Sequence, residues 1–294
     1  MNSTYTKGIL YTLIGGACWG ISGTCGQYLC SARGIDTRWL TNVRLLGAGV
    51  ILLVIILLKD RKQLSKLLHT PKTFLHCIIF GICGLMLTQY CYLTAISKTN
   101  AGTATVLQQL SAVITLLFIC ITTKKAPAWK EYIAIIFCLI GTFLVATHGS
   151  FTELYISKSG LIWGILTACA AALYILIPQN LLKAWGGMIP VGIGMLSGGI
   201  AFFFLMRVWT IPVSLAPDIV FITIIIVTVG TVLAFTLFLE GTSLIGPTRG
   251  NMLGCIEPLV ATLCSALFMH TVFTAMDIIG FAFILSTVFI LAKR

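Results

Sequence analysis

Residues 248–268 read T-R-G-N-M-L-G-C-I-E-P-L-V-A-T-L-C-S-A-L-F. This stretch is long enough to cross a bilayer as a helix, because a span needs about 20 mostly apolar residues. It nevertheless contains Arg249, Asn251, Glu257 and Pro258. A charge at membrane depth costs at least about 2.5–3.5 kcal/mol, so it needs a partner or a water-filled cavity. A proline also removes a helical hydrogen bond. The stretch therefore predicts a kink at Pro258 and a solute pathway beside Glu257.

The rest of the chain is as apolar as this stretch. Of its 294 residues, 58% are hydrophobic and 9% are charged, against roughly 25% charged in soluble domains. This composition predicts a multi-pass protein whose surroundings are the lipid bilayer. The net charge of +11 is then expected in cytoplasmic loops, and no nucleic-acid partner is expected. Eleven cysteines form neither a C-x-x-C motif nor a Cys/His cluster, so no metal and no cofactor are expected.

Ten stretches are apolar and long enough to span a membrane. They are residues 8–30, 40–58, 74–96, 102–123, 131–148, 160–182, 188–208, 218–240, 248–269 and 276–292. The connections between them are short. The sequence therefore predicts an all-α integral membrane protein, a compact bundle of ten transmembrane helices.

The basic residues predict the orientation of these spans. Twelve Lys and Arg residues fall on the side of the N-terminus, while five fall on the opposite side, Arg33, Arg38, Lys98, Lys158 and Arg207. Cytoplasmic loops carry the excess of basic residues. Both termini are therefore expected in the cytoplasm, with the protein in the cell membrane.

The chain also repeats itself. Residues 92–104, Y-L-T-A-I-S-K-T-N-A-G-T-A, align without a gap on 238–250, F-L-E-G-T-S-L-I-G-P-T-R-G, at an offset of 146. We therefore divide the chain into residues 1–149 and 150–294, with five spans each. Because five is odd, the second half enters the membrane from the opposite side. This is an inverted repeat, in which a solute site is expected near the midplane between the halves.

Several motifs point to a known family. They are A-C-W-G at 17–20, V-R-L-L-G-A at 43–48, Q-L-S-A-V at 109–113, C-I-E-P-L-V-A-T-L at 255–263 and G-F-A-F-I-L-S-T-V at 280–288. In their order and spacing they resemble the drug/metabolite transporter superfamily, specifically its EamA-type members with ten helices. The resemblance covers nearly the whole chain.

The resemblance implies a central cavity lined mainly by helices 1, 3, 4, 6, 8 and 9. It does not name the solute, since the family carries amino acids, metabolites, nucleotide-related compounds and drugs. Ala112 stands where the family often has proline, which predicts a fourth helix without the family's kink.

Glu257 and Arg44 are the first candidates for a solute site. We hypothesise that Glu257 faces the cavity and either takes up a coupling proton or pairs with a cationic group of the solute. The alternative is a structural acid that is hydrogen-bonded near the kink or paired to Arg249 or Arg44. Arg44 is interpreted as an anchor for a carboxylate, with two alternatives, an interface arginine that snorkels toward headgroups or a structural partner for an acid.

Polar and aromatic residues complete the predicted site. Amides are unusual in hydrocarbon, and Trp19 lies at mid-span, where headgroup anchoring does not explain it. The predicted substrate-binding residues are Trp19, Arg44, Gln89, Tyr92, Gln108, Gln109, Tyr174, Phe235, Phe238, Asn251 and Glu257. For the aromatic and amide members the alternatives are helix packing and interhelical hydrogen bonds.

These features favour a secondary transporter of a small organic solute that works by alternating access. An amino acid is the preferred solute and export the preferred direction, with proton or exchange coupling. No G-x-x-x-x-G-K-[ST] motif is present, so direct ATP hydrolysis is not expected. The alternative on the same fold is a broad-specificity drug or small-cation exporter. An intramembrane enzyme is disfavoured because the four histidines are scattered and form no H-E-x-x-H motif.

Overall fold

The computed structural model describes residues 3–150 and 154–292, which are mostly helical and contain no strand. The helices form ten spans in the predicted order, here numbered 1 to 10. They are Ser3–Gln27, Thr37–Lys59, Pro71–Lys98, Ala101–Thr123, Trp129–Thr147, Lys158–Leu176, Met188–Leu205, Pro217–Ile245, the pair Pro247–Gly254 and Ile256–Met269, and Ala275–Ala292. Spans 2 to 8 are each long and apolar enough to cross a membrane, which confirms an all-helical membrane protein.

The sixth span is shorter than its predicted range of 160–182. The helix ends at Leu176, and a separate connecting helix follows at Gln179–Trp185. Pro178 lies between them, and a proline has no backbone N–H with which to continue the hydrogen bonds of the helix. The apolar pattern continues past this point, so hydropathy alone placed the end of the span too late.

The neighbours of each span follow a two-fold pattern. Span 1 packs against spans 8 and 9, and span 6 packs against spans 3 and 4. Spans 2 and 7, spans 5 and 10, and spans 4 and 9 also pair. Exchanging each span with the one five places later reproduces the same set of pairs. We therefore propose the division at residues 149 and 150 as two structural repeats, which this pairing supports.

Backbone details recur at the predicted offset as well. Spans 4 and 9 both end at a residue in the left-handed conformation, Lys124 with φ of 55° and His270 with φ of 51°. Their numbers differ by 146, the offset of the sequence alignment. Such residues commonly terminate helices because they let the last carbonyl groups accept hydrogen bonds.

Four spans are interrupted within the membrane. Spans 3 and 8 widen into π-helix at Phe80–Met86 and Thr228–Leu233. Span 9 breaks at Cys255, and span 4 breaks at a turn formed by Gln109 and Leu110. The fourth helix was expected to lack the family's kink because Ala112 replaces the proline, but this span is nevertheless interrupted. The amide groups around this turn bond three residues back, as in a 3₁₀-helix, so the span is interrupted without a proline.

Glycines let span 1 lie very close to span 9. A Cβ atom on Gly20 would come within 2.6 Å of the carbonyl oxygen of Glu257 and 2.9 Å of the amide nitrogen of Ala261. Both are backbone atoms, which cannot move without displacing their helix. Small residues at such positions permit the van der Waals contact that holds membrane helices together.

We expect Gly20→Ala to lower the stability of the protein by about 1–3 kcal/mol, the usual effect of overpacking. Gly26→Ala on the same span is the matched control, because a Cβ there meets only the flexible end of Leu93. Thermal unfolding of the purified protein in detergent measures both. A Gly20→Ala protein that unfolds at or above the temperature of Gly26→Ala contradicts the proposed packing.

Candidate functional site

A cavity of about 110 Å³ lies among spans 1, 2, 3, 4, 6, 8 and 9. Its lining comprises Trp19, Arg44, Leu85, Thr88, Gln89, Tyr92, Gln108, Tyr174, Phe235 and Glu257. Eight of the eleven residues predicted from the sequence are therefore brought together here. Their roles in binding stay predictions, but residues from seven spans share one space.

Two predicted residues lie elsewhere. Gln109 and Phe238 do not line the cavity. Phe238 packs behind it, with its ring centroid 4.7 Å from that of Trp19. The side chain of Asn251 lies outside the described residues.

Two lining residues, Leu85 and Thr88, were missed by the sequence analysis. Together with Gln89 and Tyr92 they follow the i, i+3, i+4, i+7 spacing of one helix face. This periodicity, extended backward from Gln89, is the signal that identifies them. The hydroxyl of Thr88 is buried and has no hydrogen-bond partner among the described residues.

Arg44 is held by the widened part of span 8. Its side chain is 5% exposed, so it does not snorkel to the membrane surface. Its Nε donates to the Thr231 hydroxyl at 2.8 Å and its Nη2 donates to the Gly230 carbonyl at 3.2 Å. Thr231 in turn donates to the Ile226 carbonyl at 2.9 Å. The π-helix thus supplies acceptors that a regular helix keeps for itself, and the Nη1 edge of the guanidinium has no partner in the described part of the chain.

Glu257 lies in the first turn of the second segment of span 9, Ile256–Met269. Its carboxylate makes no hydrogen bond among the described residues, and no cationic side chain described lies within the 4.0 Å of an ion pair. Arg44 is near enough for a Coulombic attraction but is not in contact. Arg249 instead stacks over the ring of Tyr5 at 5.3 Å, so the predicted structural pairing of Glu257 with Arg249 is not formed.

Pro258 explains why a helix can begin at this point. It is the third residue of its segment, where the backbone N–H groups have no partner within the helix. The proline therefore removes no hydrogen bond from this segment. A helix N-terminus also carries a partial positive charge that favours a nearby carboxylate. The break at Cys255 thus places the acid of the cavity at a position that stabilises it.

Aromatic rings form an apolar wall of the cavity. The ring centroid of Phe235 lies 4.9 Å from that of Trp19 at an angle of 76°, and 6.4 Å from that of Tyr174 at 77°. Edge-to-face contacts of this kind are the favoured geometry of aromatic pairs. The cavity therefore combines one cation, one acid, two amides and an aromatic surface.

The EamA-like transporter family matches this chain over residues 6–147 and again over 158–293. The chain belongs to this family of membrane transporters, and each match covers one predicted half. A relative from Salmonella typhimurium, described as the uncharacterized inner membrane transporter YicL, is 37% identical over 292 residues, covering 99% of this chain and 97% of that protein.

A solved crystal structure is also similar. It aligns with a TM-score of 0.64 over 99% of this chain and 96% of its own, at 12% sequence identity. At this identity the likeness concerns the fold alone. It extends over the whole bundle rather than one half of it.

We expect Arg44→Lys to lower stability by about 1–3 kcal/mol, because lysine lacks the rigid fork of two nitrogens that donates to Thr231 and to the buried Gly230 carbonyl. Arg38→Lys is the matched control, since Arg38 pairs with Asp36 at a partly exposed position, where an ion pair contributes about 0–1 kcal/mol. Thermal unfolding in detergent measures both. Equal unfolding temperatures for the two variants contradict the anchoring of Arg44 by span 8.

Proposed function

We propose that this protein is a secondary transporter that exports a small zwitterionic metabolite, such as an amino acid, by alternating access. The observation that carries the proposal is the pairing of opposite charges in one cavity without contact. Arg44 and Glu257 both line the space, and neither neutralises the other through a direct ion pair. A solute with both charges satisfies both groups at once.

The geometry suggests how such a solute binds. The unpartnered edge of the Arg44 guanidinium offers two parallel donors to a carboxylate, the strongest arrangement for that pair. Glu257 accepts from an ammonium group, and the wall of Trp19 and Phe235 receives an apolar side chain. An aromatic face also attracts a desolvated cation.

The size of the cavity favours a small solute over a drug. Its volume of about 110 Å³ is below the roughly 300–1,000 Å³ of pockets for drug-sized ligands. It is close to the roughly 150 Å³ of a cavity that holds benzene. The broad-specificity alternative therefore requires a much wider cavity in another conformation.

Glu257 is also the proposed site of coupling. A carboxylate with no hydrogen-bond partner among the described residues exchanges its charge for a proton more readily than one fixed by an ion pair. Protonation of Glu257 would release the ammonium group of the bound solute. In exchange transport, a second solute molecule would replace the first at Glu257. Either event couples the cavity to a gradient without ATP.

The location is proposed from the relative and from the charges. The Salmonella protein is described as an inner membrane transporter, and we propose the same membrane here. The excess of Lys and Arg on the side of the N-terminus supports cytoplasmic termini. Export rests on the resemblance to exporters of the family.

We expect saturable counterflow of one class of amino acid in proteoliposomes preloaded with a mixed amino-acid pool. Labelled aromatic, aliphatic, basic and acidic amino acids identify the class. Glu257→Gln removes the charge that pairs with the ammonium group, so its rate should fall at least tenfold. No counterflow of any class by folded protein contradicts the proposed solute.

The pH dependence separates coupling from binding. If Glu257 carries the coupling proton, the rate of the wild type changes with pH while the residual rate of Glu257→Gln does not. Glu240→Gln is the matched control, because Glu240 is half exposed beside Lys7, away from the cavity. Full transport by Glu257→Gln with an unchanged pH profile removes Glu257 from the mechanism.

Fusions of a reporter domain to the C-terminus test the orientation. A reporter that is active only in the cytoplasm should be active at this fusion point, since the C-terminal Lys293 and Arg294 fall on the basic side. Activity of an export-dependent reporter at the same fusion point contradicts cytoplasmic termini. Uptake into inverted vesicles, compared with uptake into right-side-out vesicles, measures the direction of transport.

A further inference from the structure

Gln27 joins three separate helices at one end of the bundle. Its side chain is 6% exposed. Its Oε1 accepts from the backbone N–H of Ala101 at 2.9 Å and from the Ser265 hydroxyl at 2.8 Å, and its Nε2 donates to the Thr271 hydroxyl at 3.2 Å. Span 1 is thereby tied to the first residue of span 4, to span 9 and to the loop after it. We call these four residues the Gln27 junction.

The junction lies next to the central cavity along span 1, in the direction of Gln27. Trp19, Gly23 and Gln27 are spaced four residues apart, so they share a helix face at intervals of about 6 Å along the axis. Trp19 lines the cavity. The hydroxyl of Tyr92 lies against Gly23 and hydrogen-bonds to the Thr105 hydroxyl at 2.8 Å. The path from the cavity along span 1 therefore meets Tyr92 first and the Gln27 junction one turn later.

A second cavity begins on the far side of the junction. It has a volume of about 270 Å³, and its lining includes Lys98, Asn100, Thr103 and Thr271. Asn100 is the neighbour of Ala101, and Thr271 is a member of the junction. The floor of this outer pocket is thus built from the partners of Gln27 and the residues next to them.

We propose that Gln27 is the gate residue that closes the outer end of the solute pathway, between the central cavity and the outer pocket. This inference rests on the proposed transport function, and it identifies the point at which the solute pathway is closed in this conformation. Three of the four junction residues lie on different spans, two in the first half of the chain and one in the second. Opening the pathway at this end separates the two halves.

The chemistry of the junction suits a gate that opens repeatedly. All its contacts are hydrogen bonds between neutral groups, which contribute modestly when they form and are replaced by water when they break. A buried ion pair in the same place would hold the helices more firmly, since separating it leaves uncompensated charges. The amide of Gln27 offers a donor and an acceptor together, so one side chain can release spans 4 and 9 in a single movement.

Access to the cavity from each face of the membrane tests the gate. Thr88→Cys places a reporter thiol in the cavity at a hydroxyl that makes no hydrogen bond. A small membrane-impermeant methanethiosulfonate is applied to the full-length protein in right-side-out and in inverted vesicles. Peptide mass spectrometry then reads modification at position 88 specifically, because the chain also contains eleven native cysteines.

With Gln27→Leu added, we expect modification from the face that bears Arg33 to become at least tenfold faster, while the rate from the other face does not rise. Thr271→Val removes only the bond to the loop, so it should accelerate the same reaction less, and it serves if Gln27→Leu does not fold. Gln179→Leu is the matched control, because Gln179 is an exposed amide on the connecting helix Gln179–Trp185 and lies outside both the cavity and the junction. It should leave the rate unchanged.

An unchanged rate from the Arg33 face in folded Gln27→Leu and Thr271→Val protein overturns the proposal. An equal rise from both faces also overturns it, since that result indicates a loosened bundle rather than an opened gate. The reaction needs no solute, so it stands apart from the counterflow assay. Absent counterflow with face-specific labelling leaves the gate in place and removes only the proposed solute.

Amide hydrogen exchange provides a second test, which does not need the Thr88→Cys substitution. Ala101 is the first residue of its helix, where the backbone N–H has no partner within the helix. Its protection therefore depends on Gln27. Peptides that contain Ala101 should exchange at least tenfold faster in Gln27→Leu than in Thr271→Val, which keeps this bond. Equal exchange in the two variants contradicts the gate.

Discussion

Hydrocarbon offers no water to a charge or to a broken helix, and the centre of this protein is organised by that constraint. Arg44 is buried where an isolated arginine is costly. It is tolerated because span 8 widens into π-helix and presents the Gly230 carbonyl and the Thr231 hydroxyl to it. The cation and the irregular backbone satisfy each other. Removing either one leaves the other exposed to an apolar interior.

The same constraint explains why the interruptions gather around the cavity. The π segment of span 3 includes Leu85, and the turn of span 4 follows Gln108 directly. The break of span 9 lies two residues before Glu257. Irregular backbone at membrane depth is tolerated where it lies inside protein or lines a cavity. Four spans therefore bend or widen where they surround the central cavity, whose lining includes charged and amide groups.

The two charges of the cavity differ in how they are held. Arg44 is fixed on one side by span 8, whereas Glu257 has no hydrogen bond among the described residues. A fixed cation and an uncommitted acid are what binding and release of a solute would require under the proposed function. Around them, the close approach of span 1 to span 9 at Gly20 keeps the helices in contact over a smooth surface. Such packing lets one helix shift against another without unlocking large side chains.

The sequence by itself determined the membrane class, the ten spans and most of the candidate site, because hydropathy and the rarity of polar residues in hydrocarbon are local signals. It placed Trp19, Arg44 and Glu257 in a shared site from their depth in the spans. It could not decide which of Gln108 and Gln109 faces the cavity. Adjacent residues point about 100° apart on a helix, and the turn between the two segments of span 4 sets which side chain faces inward. It also missed Thr88, although its spacing of four residues from Tyr92 places both on one helix face.

Only the tertiary structure decided which partners each polar group meets. The anchor of Arg44 comes from span 8, nearly two hundred residues away in the chain, and the acid that the sequence offered as its partner stands apart from it. The junction at Gln27 likewise depends on helices that meet only when the halves pack together. Hydrogen bonds between distant residues are set by packing and helix irregularity. Those features arise from the whole bundle, so no single stretch of sequence contains them.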